Sequence, residues 1–106
     1  MKIALAQLNY TIGAFAENTE KMILAIRRAR QEKAALVVFS ELAVSGYPPL
    51  DLLEYRHFIE NCETSLARVA AECQGIAAIA GGPWVNPHPQ GKNLYNAAFF
   101  MAHGRI

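Results

Sequence analysis

A chain of 106 residues has room for one modest domain. Its net charge of +1 offers no field for nucleic acid or a membrane surface, no apolar run approaches a membrane span, and no secretory leader precedes the first strand-like segment, so a cytoplasmic, reducing setting is expected. Hydrophobic residues reach 53% against 18% charged, a surplus that a domain this small cannot bury alone, so some of it is expected to be covered by something outside the chain.

Residues 3–8 (IALAQL) are nearly all apolar and follow no helix cap, which predicts a strand covered on both faces. Residues 9–17 contain Gly13 and read as a loop. Asn18 is placed to cap a helix with Glu20 in its first turn. Met22, Ile23, Ile26 and Ala29 recur at helical spacing and face a core, while Glu17, Lys21, Arg27, Arg28 and Gln31 take the wet side. The helix is expected to end near Lys33. Arg27, Arg28, Arg30 and Lys33 form the basic cluster at that end, where cations suit the exposed carbonyls.

Residues 35–39 (ALVVF) predict a buried parallel strand, completing a βαβ unit with a right-handed crossover. Gly46 and Pro48-Pro49 make residues 40–50 a loop. A second helix is predicted over 56–74, with Phe58, Ile59, Cys62, Leu66, Val69, Ala70 and Cys73 on its apolar stripe and Gly75 placed to end it. Residues 76–80 (IAAIA) predict a third strand, closed by Gly81-Gly82-Pro83, and residues 84–92 a loop. Residues 94–102 predict a fourth strand, His103-Gly104 a tight turn, and Arg105-Ile106 the start of a return strand. A hairpin that stops there leaves ladder groups unpaired, so a piece of a longer domain is expected.

Glu41 follows directly on a buried strand, at the end where ligands gather in open α/β sheets. Among apolar neighbours it could serve as a base; it could equally cap a backbone amide. Tyr47, in the Gly46-Tyr47-Pro48-Pro49 turn, could offer a hydroxyl to a pocket or belong to an ordinary proline-stiffened connection. Cys62 and Cys73 fall on an apolar helix stripe and read as packing residues; eleven helical positions span about 16 Å, too far for a disulfide. His57, His88 and His103 are scattered, with no metal-ligand or triad spacing. Trp84 and Tyr95 could line a cleft or pack in the core.

Residues 37–53, VVFSELAVSGYPPLDLL, resemble the strand-end glutamate motif of the nitrilase, or carbon–nitrogen hydrolase, superfamily. The extension SGYPPLDLL is similar in particular to the glutaminase domain of glutamine-dependent NAD synthetases. Residues 2–22, KIALAQLNYTIGAFAENTEKM, and 91–106, GKNLYNAAFFMAHGRI, resemble further segments of that domain in the same order.

The resemblance implies a fragment of a four-layer αββα sandwich, in β-α-β-α-β-β order. It implies a Glu, Lys and Cys triad in which Glu41 is the general base, lysine stabilises the oxyanion and cysteine attacks the amide. The lysine and cysteine are expected past residue 106; Lys92, Cys62 and Cys73 do not match their motifs. Tyr47 matches a position near bound glutamine. Ser40 stands where the family usually has proline, and Leu50 where an acidic residue is common. The implied whole protein hydrolyses glutamine and amidates deamido-NAD with ATP and magnesium, as a homo-oligomer. The chain by itself, with no cofactor of its own, is expected to be inactive. Two other readings stay open: a simpler amidase for a small amide, and a non-catalytic interaction module.

Overall fold

Aliphatic runs too short for helices pair as strands, and the amphipathic stretches between them pack across the sheet. The computed structural model describes residues 1–106. Its elements are β1 (Ile3–Ala6), α1 (Phe15–Gln31), β2 (Leu36–Phe39), a short 3-10 turn (Leu50–Glu54), α2 (Arg56–Glu72), β3 (Ala77–Val85) and β4 (Leu94–Met101). One sheet runs in the order β1-β2-β3-β4. The first three strands are parallel, and β4 returns antiparallel to β3. No helix is long and apolar enough to cross a membrane.

Both helices cover the same face of the sheet. Met22 and Ile26 from α1 and Leu66 and Val69 from α2 share one buried cluster with Val37, Ala78 and Met101 from the strands. Each such large aliphatic side chain contributes about 1.5–3 kcal/mol through burial. Both predicted helix stripes are buried in full.

Four expectations are corrected. Asn18 does not cap α1, which begins at Phe15 with Ala14 as its cap residue. Asn18 is buried one turn inside, where its amide accepts from Thr11 N–H at 3.0 Å and donates to the Thr11 carbonyl at 2.8 Å. Its side chain thus ties the preceding loop down instead of serving its own helix. Strand β3 does not stop at Gly81-Gly82-Pro83. It continues to Val85, because β4 pairs with it across that whole stretch, and Trp84 stacks on Tyr95 with ring centroids 5.7 Å apart. The loop after β2 ends in the 3-10 turn, which includes Leu50. Finally, the strands are covered on one face only. On the other, Leu5, Val38, Ile79 and Phe100 stand in register across all four strands, with Leu5 79% and Phe100 59% exposed.

Strand and helix ends also shift slightly. β1 stops at Ala6 rather than Leu8, and α2 stops at Glu72. α1 ends at Gln31, and Lys33 takes a left-handed φ of 67° so that Ala34 N–H reaches back to the Ala29 carbonyl at 2.9 Å. His103 and Gly104 both have positive φ, and Ala102 pairs with Arg105 across the turn, as the sequence predicts for a two-residue hairpin.

Candidate active site

β2 carries the chain to Phe39, and the segment that follows must bend sharply to re-enter the core. Leu42 makes the bend with φ 50° and a buried side chain. Ala43, Val44 and Ser45 beyond it are fully buried. The Ser45 hydroxyl donates to the Leu42 carbonyl at 3.1 Å. The loop before α1 clamps the bend from outside. Gly13 N–H donates to the Ser45 carbonyl at 2.9 Å, and Asn18 Nδ2 reaches the Val44 carbonyl at 3.4 Å. Gly46, at φ 78°, lets the backbones touch: a Cβ there would lie 2.8 Å from Ile12 Cα. The Tyr47–Pro48 peptide bond is cis.

This frame presents Glu41 at the carboxyl end of β2, between two shallow depressions. One, of about 350 Å³, is lined by Val38, Ser40, Glu41, Ile79, Gly81 and Asn96, among others, on the sheet face away from the helices. The other, of about 320 Å³, is lined by Leu8, Asn9, Tyr10, Ser40, Glu41 and Tyr47. Glu41 and Tyr47, 62% exposed, therefore meet in one hollow, as their closeness in sequence suggests. The Glu41 carboxylate accepts a hydrogen bond from Asn96 Nδ2 on β4. The Tyr10 hydroxyl is buried without a hydrogen-bond partner. Burial is the largest influence on this phenol and pushes it up.

No lysine or cysteine lines either depression. Cys62 and Cys73 are fully buried in the core. Burial, then the nearby Glu63 charge, pushes the Cys62 thiol up to about 12; burial also raises Cys73. A thiol held protonated in this way is a packing group, not a nucleophile. No three His, Cys, Asp or Glu side chains gather where they could hold a metal ion.

Two contributors escaped the sequence reading. Asn96 lies fifty-five positions from Glu41; its one sequence signal is an amide in a strand that is otherwise mostly apolar. Gly81 looked like a strand stop, yet it is the place where β3 lets the bend through. A Cβ there would fall 2.5 Å from Leu42 N.

The sequence profile of the carbon-nitrogen hydrolase family matches residues 2–106. The chain belongs to the carbon-nitrogen hydrolase family. It is 46% identical over its whole length to a glutamine-dependent NAD(+) synthetase of Xanthomonas campestris, of which it spans 19%. The fold superposes with TM-score 0.87 on the glutamine-dependent NAD+ synthetase of Acinetobacter baumannii, at 33% identity, covering 98% of this chain and 19% of that one. An amidase of the nitrilase superfamily from Nesterenkonia aligns with TM-score 0.82 at 25% identity, covering 99% of this chain and 40% of that one. The one-sheet, two-helix unit is thus a portion of the nitrilase fold, and the chain spans about a fifth of the length of its synthetase relatives.

Proposed function

We propose that this chain is the amino-terminal part of the glutaminase domain of a glutamine-dependent NAD synthetase, and that Glu41 is its general base. The observation that carries the base assignment is the placement of Glu41 at a strand end, on a bend anchored from three sides, with its carboxylate open to two hollows. The choice of glutamine rests on the 46% identity, over the whole of this chain, with part of a glutamine-dependent NAD(+) synthetase. In this reading Glu41 takes the proton of a cysteine thiol, which attacks the side-chain amide, while a lysine holds the developing oxyanion. Both groups come from the rest of the domain. Ammonia leaves, and water releases glutamate from the acyl-enzyme. Tyr47 flanks the glutamine. ATP and magnesium serve a synthetase domain elsewhere in the whole protein, which is cytoplasmic and homo-oligomeric.

The test is Glu41→Gln in the whole protein. Glutamine hydrolysis should fall by about 10²–10⁴-fold, while NAD formation from externally supplied ammonia persists. Unchanged glutamine turnover would remove Glu41 from the role of base. A wild-type protein that cleaves small amides but makes no NAD from glutamine, deamido-NAD and ATP would favour the simpler amidase to which the Nesterenkonia likeness points.

A further inference from the structure

We propose that Asn96 is the positioning residue of Glu41: its side-chain amide fixes the carboxylate so that one oxygen stays free to take the proton. The inference rests on the assignment of Glu41 as base and extends it. β4 alternates between the two faces of the sheet. Phe99 and Met101 pack toward the helices, whereas Asn96, Ala98 and Phe100 fall on the other parity. Asn96 therefore stands on the same side as Val38, Ile79 and Gly81, in the hollow that Glu41 borders. Asparagine is a poor strand former, and nothing about packing calls for an amide among Ala97, Ala98 and Phe99.

The contact joins distant parts of the chain through a rigid route. Gly81 on β3 lies against the Glu41–Leu42 backbone, and its register partner on β4 is Ala98, two residues from Asn96. The backbone of Glu41 and the donor of its side chain are thus both referenced to the β3–β4 ladder. A glutamate on a bend has three free torsions, and the bend alone fixes none of them. Asn96 Nδ2 donates to Oε1 and is the one side-chain donor that meets Glu41. Anchored at Oε1, the carboxylate leaves Oε2 without a side-chain donor. The amide neither gains nor loses a proton during turnover, so it can hold the carboxylate in both protonation states of the cycle.

The experiment uses the whole protein and a double-mutant cycle. Asn96→Leu removes the donor at similar size, and Asn96→Asp keeps the size but replaces the donor with a carboxylate that repels Glu41. Each should lower kcat for glutamine hydrolysis by about 10², with KM for glutamine and ammonia-dependent NAD formation unchanged. In a Glu41→Gln background Asn96→Leu should cost nothing further, because residues that act as a unit are not additive. If Glu41→Gln is costly but the Asn96 variants keep kcat, the positioning role is overturned while the base stands. An equal loss from Asn96→Leu with or without Glu41 also overturns it and makes Asn96 structural. If Glu41→Gln itself costs nothing, the base assignment fails first, and the role of Asn96 with it.

Discussion

Leu42 holds a left-handed backbone that costs a non-glycine residue about 1–2 kcal/mol. Its buried side chain and the Ser45 bond to its carbonyl hold it there. Gly81 completes the arrangement by having no Cβ. The atoms that a methyl group would meet are Leu42 N at 2.5 Å and Glu41 Cα at 3.1 Å, which are backbone and cannot swing aside. Gly81→Ala should therefore push the bend off β3. We expect a loss of about 1–3 kcal/mol of stability from overpacking and, in the whole protein, about 10² in glutamine turnover from the displaced carboxylate. Thermal unfolding and steady-state kinetics on one preparation check both. Full turnover in a Gly81→Ala protein would mean that β3 does not aim Glu41. At this scale a strand end and a proline turn are local features that single out Glu41 and Tyr47 as candidates, and the family resemblance is what attaches roles to them. Asn96 and Gly81 act through contacts between strands, and no spacing within one element announces these.

At the scale of elements, helical spacing and short apolar runs located both helices and all four strands, and the buried stripes of the two helices came out residue by residue. It failed where one element serves another. Asn18 looked like a cap because caps and clamps draw on the same side-chain chemistry; only the neighbouring loop decides which it becomes. The basic residues of α1 were read against the carboxyl end of their own helix, yet Arg30 Nη1 donates to the carbonyls of Glu72 and Gln74 at the end of α2, at 2.9 and 3.2 Å. Arg27 and Arg30 both pair with the Glu72 carboxylate at 2.9 Å. Hydrogen bonds from Arg27 first and Arg30 second hold that carboxyl below its ordinary value of 4.5. A carboxylate depressed in the folded state adds stability that is fully present above the unfolded value and is lost as pH falls through the folded one. Glu72→Gln should thus lower Tm at neutral pH, and the gap should close as pH falls below about 4. Added salt should narrow the gap at neutral pH, since these charges are partly exposed. A gap independent of pH would show that Glu72 acts through packing instead of charge.

The whole molecule has two unlike sides. The helix side is closed, whereas the other presents the register row Leu5, Val38, Ile79, Phe100, with Ile3 and Leu36 beside it. The apolar surplus in the composition forecast that something was uncovered, but not which surface, since alternation within strands this short does not say which parity meets a helix. Glu41 and Asn96 stand at the edge of this open face, so the candidate site and the bare surface are neighbours. Contiguous apolar patches of this kind are rare on monomers and drive association in water. The 106-residue chain alone should therefore self-associate, with a sedimentation coefficient that rises with concentration. Leu5→Lys combined with Phe100→Lys should suppress this while leaving the helical circular dichroism intact, because both side chains are more than half exposed. Leu24→Lys is the control: Leu24 is 54% exposed, but on α1, and its replacement should leave association unchanged. Association that survives the first pair of changes and yields to the Leu24 change would place the contact on the helices. Association untouched by either would place it at an unpaired sheet edge, β1 or β4, where exposed backbone N–H and C=O groups invite a further strand.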